Sequence, residues 1–380
     1  MGTRTAAEVF PPGEFLKEEL EARGWSQVEL AEILDRPPRL VNEIISGKRA
    51  MTPETAKGLG EAFGTSPQLW MNLESQYQLS RVSVAEDSIA RKAHLYDRFP
   101  VREMIRRGWI QASNNVEVLE QQFMRYFGLM NIEDEPAFAH AARKRHYDST
   151  SMLQLCWMYR AKALAPAVLA RRYKESNLER LFEELRNRLE FVESVREVPA
   201  LLAGAGIRLV IVEALPGAQI DGACFWLNKG AEPVVVLSLL YDRVDNFWHN
   251  LWHELDHVAH GEGKSEPILD SSISAQQTTL DQLGDIPDME IRANTAAAES
   301  SIPKEEMDGF IARINPFFSD EAIVGFAKRL KIHPGIVVGQ LQRRGLVGWG
   351  THKKHLEKVR SHIVGQALTD GFGITIATGE

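Results

Sequence analysis

GWSQVELAEILDRPPRLVNEIISGKR, residues 24–49, decides how the first part of this chain folds. Ser26 is an N-cap residue with Glu29 three positions on, the spacing of a capping box. Leu30, Ala31, Ile33 and Leu34 then form the apolar stripe of a short helix. Arg36-Pro37-Pro38 stops it, and a further helix over about 39–46 turns Val41, Ile44 and Ile45 inward. Gly47 ends that helix and Lys48-Arg49 follow. Two short helices about a tight turn make a helix-turn-helix pattern, with Ala31 small enough for the crossing. Arg39, Asn42 and Glu43 fall on the outward face of the second helix. In a major groove Arg pairs with guanine and Asn with adenine, each bidentate contact worth about 1–3 kcal/mol. Gln27 at a helix start, with Lys48 and Arg49 in the loop, would hold phosphates and set the register.

Outward from this core, residues 12–24 predict a preceding helix with Phe15, Leu16 and Leu20 at helical spacing and Gly24 as its stop. Thr52-Pro53-Glu54 opens another that runs through Phe63. PPGEFLKEEL, GWSQVELAEIL, IISGKR and TPETAKGLGEAFGTSPQLWMNLESQY together resemble the HigA-type antitoxins of the Cro/repressor helix-turn-helix group, over about residues 10–79. The resemblance implies a five-helix DNA-binding domain over 1–80, a homodimer, and double-stranded DNA as partner, the chain's own operator first. Pro37-Pro38 stands where the family usually has small polar residues.

The chain has 380 residues and a formal net charge of −8, with 44% hydrophobic residues, 28 Gly, 17 Pro and 2 Cys. This balance excludes collagen-like, disulfide-scaffold and wholly disordered classes. It also argues against non-specific coating of nucleic acid. Residues 1–75 carry eight basic against twelve acidic side chains, so any DNA contact depends on charge at the docking face. Two cysteines cannot build a disulfide framework, which points to the cytoplasm, and no apolar stretch reaches membrane-spanning length.

Residues 81–198 predict helices throughout, with charges interleaved among apolar positions near 178–195, and are expected to form a spacer or packing scaffold. After Pro199 the pattern changes to three short β-rich runs, at 207–212, 222–227 and 233–238. DNFWHNLWHELDH, residues 245–257, follows in an apolar helix. His253 and His257, four apart, share a helix face about 6 Å apart along the axis. Both imidazoles can therefore reach one Zn²⁺. Glu254 lies beside them, placed as general base towards a water at the ion. A catalytic zinc also needs a third protein ligand. His249 lies a full turn early and His260 points about a right angle away, so both suit supporting or solvated roles better. The stretch DMEIRAN at 288–294, beyond a polar loop, offers a better candidate.

HELDHVAHG, EIRAN and AAAESSIP, flanked by IDGACFWL, LSLLYDRVDNFW and IHPGIVVGQLQRRG, resemble the ImmA/IrrE family of zinc metallopeptidases over about 200–349. The resemblance implies Glu290, 33 residues after His257, as the third ligand. Asp256 stands where many members carry Gly, and Ala297 and Ser300-Ser301 replace bulkier residues. Tyr241, Asp242 and Arg243 either line the cleft or form a surface turn, and Cys224 reads as a small buried hydrophobe.

The expected architecture is mainly α with a small α+β zincin-like domain. The helix-turn-helix domain (1–80) is followed by the spacer (81–198), the metallopeptidase domain (199–305), a helix-turn-helix-like cap (306–350) and a basic, then disordered tail (351–380). Residues 328–360 hold nine basic side chains against one acidic, either a phosphate-binding face or the solvated surface of the cap. Three functions follow: a zinc endopeptidase that a DNA-binding domain targets to a repressor or stress-response partner, a non-catalytic repressor whose zincin senses metal or ligand, or an antitoxin that neutralises a toxin protein.

Overall fold

The computed structural model describes residues 9–81, 88–138, 150–271 and 288–377. The chain divides into two compact units, 1–91 and 92–380.

Among its described residues the first unit is all helical: α1 (Pro12–Arg23), α2 (Gln27–Ile33), α3 (Pro38–Ile45), α4 (Pro53–Phe63) and α5 (Pro67–Arg81). Local signals set most of the boundaries. Gly24 takes a left-handed φ of 67° and ends α1. The Ser26 hydroxyl accepts from the Glu29 amide at 3.2 Å, and the Glu29 carboxylate accepts from the Ser26 amide at 2.7 Å. Pro38 begins α3 where a missing N–H costs nothing. Leu16, Leu20, Leu30, Ala31, Val41, Ile44, Leu59 and Trp70 close one core. Two expected core positions do not join it: Ile33 is 50% exposed and Phe15 lies at the surface. In a seven-residue helix the buried stripe is narrow, and Leu30 with Ala31 already fills it.

The second unit is built on a five-stranded mixed sheet: β1 (Arg208–Val212), β2 (Ile220–Leu227), β3 (Glu232–Leu237), β4 (Ile268–Ser271) and β5 (Leu368–Asp370), in the order β4-β2-β3-β1-β5. β1 runs parallel to β3 and β5, while β2 is antiparallel to β3 and β4. Alternate residues of each strand enter different cores. Leu209, Ile211, Val235 and Leu237 pack with Leu251, Leu255, Phe310 and Val337. Val210, Val212, Val234 and Val236 pack with Phe123, Trp157 and Leu164.

The first of these cores takes in α10 (Leu178–Arg186), α11 (Val198–Ala205), α12 (Val244–Ala259), α13 (Asp288–Ser301), α14 (Lys304–Ile314), α15 (Asp320–Leu330) and α16 (Pro334–Arg343). The other takes in α6 (Ser88–Arg98), α7 (Val101–Arg106), α8 (Val116–Phe127) and α9 (Met152–Leu164). The middle helices, read from sequence as a spacer, thus help to cover the sheet. Each fully buried large apolar side chain contributes about 1.5–3 kcal/mol.

The expected disordered tail is corrected by the structure. β5 pairs with β1, and Asp370 is buried, accepting from Arg160 Nε at 2.6 Å and Trp109 Nε1 at 2.7 Å. A three-residue strand carries too little periodicity to be seen in sequence; its partners lie more than 150 residues upstream. Part of the predicted polar loop, 272–287, and the last three residues lie outside the described residues. Among the described residues no helix is long and apolar enough to cross a membrane.

Candidate functional site

Two places bring the predicted residues together, one in each unit. In the first, α3 presents Arg39 and Asn42 to solvent while Val41 and Ile44 bury its other face. Asn42 Nδ2 donates to Gln27 Oε1 at 3.2 Å, joining the start of α2 to the middle of α3. Arg39 Nε donates to Glu43 at 2.6 Å, and Arg49 Nη1 donates to the same carboxylate at 3.2 Å. The hydrogen bond from Arg39 is the main reason the Glu43 carboxyl lies below its ordinary range. Lys48 and Arg49 follow Gly47, whose φ of 66° turns the chain out of the helix. The loop is anchored beneath: the buried Glu74 accepts from the Met51 amide at 3.0 Å. Gln27, Arg39, Asn42, Lys48 and Arg49 thus lie on one short segment. Glu43, which the sequence places on the same outward face, ties two of its cations, a pairing that the sequence does not announce.

In the second unit α12 carries His253, Glu254 and His257, all at most 1% exposed. Its Phe247, Trp248, Leu251, Trp252 and Leu255 bury the helix in the core, which turns the two histidines inward rather than to water. Glu290 meets them from the first turn of α13. His253 Nε2 lies 3.0 Å from His257 Nε2 and 3.2 Å from Glu290 Oε2, and His257 Nε2 lies 3.8 Å from Glu290 Oε1. One ligand atom from each residue falls within 4.8 Å of the others. Burial opposes protonation of His253, but Asp270, Glu290 and Glu254 outweigh it and push the imidazole up to about 10. Burial holds His257 down. Such a set, with two ring nitrogens turned on one carboxylate, fits a divalent cation held by nitrogen and oxygen donors.

Glu254 adds a second observation. Both of its carboxylate oxygens are buried without a hydrogen-bond partner, and burial drives its carboxyl well above the ordinary range. The sheet makes room for it through a glycine. A Cβ at Gly222 of β2 would stand 2.4 Å from Glu254 Oε1 and 3.0 Å from the Val236 carbonyl.

Three supporting residues were not found from sequence. His257 Nδ1 donates to Glu262 at 2.7 Å, and Arg292 bridges Glu262 at 2.7 Å and Asp256 at 2.9 Å. Asp256, the departure from the resembled pattern, is therefore an anchor for α13. A carboxylate five residues after the second histidine was a readable signal for Glu262. Asp270 Oδ2, 3.8 Å from His253 Nε2, comes from an edge strand that no local pattern announces. Burial, with Asp221 and Glu290, pushes Asp270 up to about 7 against the pull of His253.

The other candidates lie apart from the cluster. His249 is half-buried and hydrogen-bonded to Asn294, and burial holds it well below its ordinary range. His260 is exposed, against the Asp256 carbonyl at 2.8 Å. Arg243 is closed on Asp245 and Gln342, Asp242 accepts from the Val359 and Arg360 amides, and Tyr241 is exposed. Cys224 is buried, its thiol pushed well up by burial.

The helix-turn-helix family model matches residues 16–70. The uncharacterized HTH-type transcriptional regulator YddM of Escherichia coli (strain K12) is 33% identical over 76 residues, 20% of this chain and 81% of that protein. Virulence-associated protein I of Dichelobacter nodosus is 38% identical over 79 residues, 20% of this chain and 73% of its own. Among solved structures, Pseudomonas aeruginosa antitoxin HigA with higBA promoter is 38% identical, with 19% of this chain and 80% of that chain covered and a TM-score of 0.19. An addiction module antidote protein of a HigA family from Coxiella burnetii is 30% identical, covering 24% and 95%, also with a TM-score of 0.19.

Proposed function

The chain belongs to the helix-turn-helix family, of the Cro/repressor type, and on that premise we propose that it is a DNA-binding regulator carrying a zinc-dependent endopeptidase centre. Exposed Arg39 and Asn42 on α3 support reading of base edges in the major groove. Gln27, Lys48 and Arg49 would take phosphates. The DNA is double-stranded, its own operator first, and a cytoplasmic homodimer would set two recognition helices one helical turn apart. Arg39→Ala with Asn42→Ala should abolish a sequence-specific, salt-sensitive shift of the chain's upstream region. Lys48→Ala should weaken binding to all sequences alike and lower the salt slope by about one. Wild type that shifts no DNA at low salt rules this part out.

The observation that carries the second part is Glu254: a buried carboxylate with both oxygens unpartnered, adjoining the His253–His257–Glu290 cluster. Folding gains nothing from such a group. His253, His257 and Glu290 would hold Zn²⁺, which when bound polarises a peptide carbonyl and acidifies water. Glu254 then takes the proton of the attacking water and returns it to the leaving nitrogen. Glu262 accepts the Nδ1 proton of His257, which leaves Nε2 with its lone pair facing the cluster. Arg292 holds Glu262 in place, and the Trp248 and Trp252 rings exclude water from the opposite side of α12. The substrate is a protein, either a repressor or a stress-response partner. Glu254→Gln should purify with zinc yet fail to cleave a candidate repressor that wild type cuts. Wild type that takes up no zinc, with His253→Ala unchanged in every property, ends the peptidase reading.

A further inference from the structure

A further carboxylate reaches the metal-facing side of His253, and the sheet register explains why. β4 runs antiparallel to β2 with Asp270 opposite Gly222, and residues directly opposite in a ladder project to the same face. Gly222 is the position on which Glu254 packs. The ladder therefore directs Asp270 towards the face where α12 lies. Its Oδ2 stands 3.8 Å from His253 Nε2, the same nitrogen that faces His257 at 3.0 Å and Glu290 at 3.2 Å. Zinc bonds of about 2.0–2.2 Å in a tetrahedron put neighbouring ligand atoms roughly 3.3–3.6 Å apart. On this nitrogen His257 and Glu290 fall just inside that length and Asp270 just outside it, at the margin of the three residues whose ligand atoms all lie within 4.8 Å of one another.

We propose that Asp270 is the fourth protein ligand of the zinc, closing the position that a hydrolytic centre leaves to water, so that the site is latent until β4 draws back. This rests on the zinc reading above and adds its regulation. Two carboxylates and two neutral imidazoles balance a divalent ion, which suits a site this deeply buried. The moving part is suited to the task. β4 has four residues, lies at the sheet edge with β2 as its one strand neighbour among the described residues, and its register shifts between Ile220 and Gly222. An edge strand beside a bulge yields more easily than a central one. When it moves outward, Asp270 leaves with it and one coordination position opens, while the three remaining ligands lie on helices.

The test uses the full chain loaded with Zn²⁺ or Co²⁺. Asp270→Asn should weaken Zn²⁺ binding tenfold or more in chelator competition. It should also let azide change the visible Co²⁺ spectrum, to which wild type stays indifferent. Asp270→Glu, which keeps a carboxylate, should retain affinity within a few-fold and azide indifference, so a fold defect at this position is recognised. Equal Zn²⁺ affinity for wild type and Asp270→Asn, or azide binding by wild-type Co²⁺ protein, overturns the assignment while leaving the zinc site standing. A wild-type chain that binds no Zn²⁺ overturns both.

Discussion

Replacing Glu254 by Gln should stabilise the metal-free protein. The side chain is fully buried, neither carboxylate oxygen has a hydrogen-bond partner, and Asp270, Glu290 and Asp221 add like charge against the attraction of His253. Removing a charged carboxylate from water costs several kcal/mol even after relaxation. Glutamine has the same shape; an unsatisfied amide in its place costs about 1–3 kcal/mol. The difference favours the variant by roughly 1–3 kcal/mol at pH 8. The sign depends on pH. Because burial raises the folded-state pKa, the contribution of the wild-type carboxyl is fully present below its unfolded value of about 4.3 and is lost as pH rises through the folded value. The advantage of glutamine should therefore vanish near pH 4 and grow towards pH 8.

Urea unfolding in the presence of a chelator measures this directly, with Trp248 and Trp252 as fluorescent reporters on the same helix. For a domain of this size each kcal/mol corresponds to about 2–4 °C in thermal midpoint. A variant equal to or less stable than wild type at pH 8, or a gap that does not change with pH, refutes the account of Glu254 as an uncompensated charge. Loss of cleavage together with a gain in stability is the signature of a residue kept for chemistry.

Three other changes follow from the same geometry. Gly222→Ala should keep its zinc but lower stability by about 1–3 kcal/mol in denaturant titration, since the new Cβ meets both Glu254 and the Val236 carbonyl. Trp70→Ala should destabilise the first unit by about 3–5 kcal/mol, read from its own melting transition; the indole is 1% exposed and its Nε1 donates to Thr65 at 2.9 Å. Asp320 accepts from Lys354, His352 and His355, which holds its carboxyl well below the ordinary range. That contribution is present above about pH 4 and lost as pH falls through the depressed folded value, so Asp320→Asn should melt with a flatter acid limb than wild type.

The parts legible in the sequence are those written locally. Ser26 with Glu29, Gly24, Pro38 and Thr52 mark helix ends through contacts within a few residues, and the four-residue spacing of His253 and His257 needs only one helix. What could not be read depends on distant pairing. β4 and β5 have four and three residues, and each is ordered by a strand elsewhere in the chain. Asp270 consequently became visible only once the register with Gly222 was known. The middle helices read as a self-contained scaffold because their charges interleave; their apolar faces meet the sheet through residues that sequence assigns to another segment.

The basic C-terminal stretch shows why charge counted along a chain misleads. Arg343 donates to Asn246 at 2.9 Å and lies 3.7 Å from Asp245, so it belongs to the contact between α16 and α12. At that contact a Cβ on Gly339 would stand 2.2 Å from Asp245 Oδ2, so α16 rests directly on the start of α12. Arg344 is paired with Asp308, Arg329 with Glu306 and Lys354 with Asp320. Such surface pairs are worth about 0–1 kcal/mol each. They could yield to a phosphate, but Arg343 could not without disturbing the helix that carries the histidines. A nucleic acid on α16 would thus act on the helix that carries the histidines, whereas one on α3 meets side chains with no such duty. That difference favours α3 as the docking face, although the net charge of its own segment is negative.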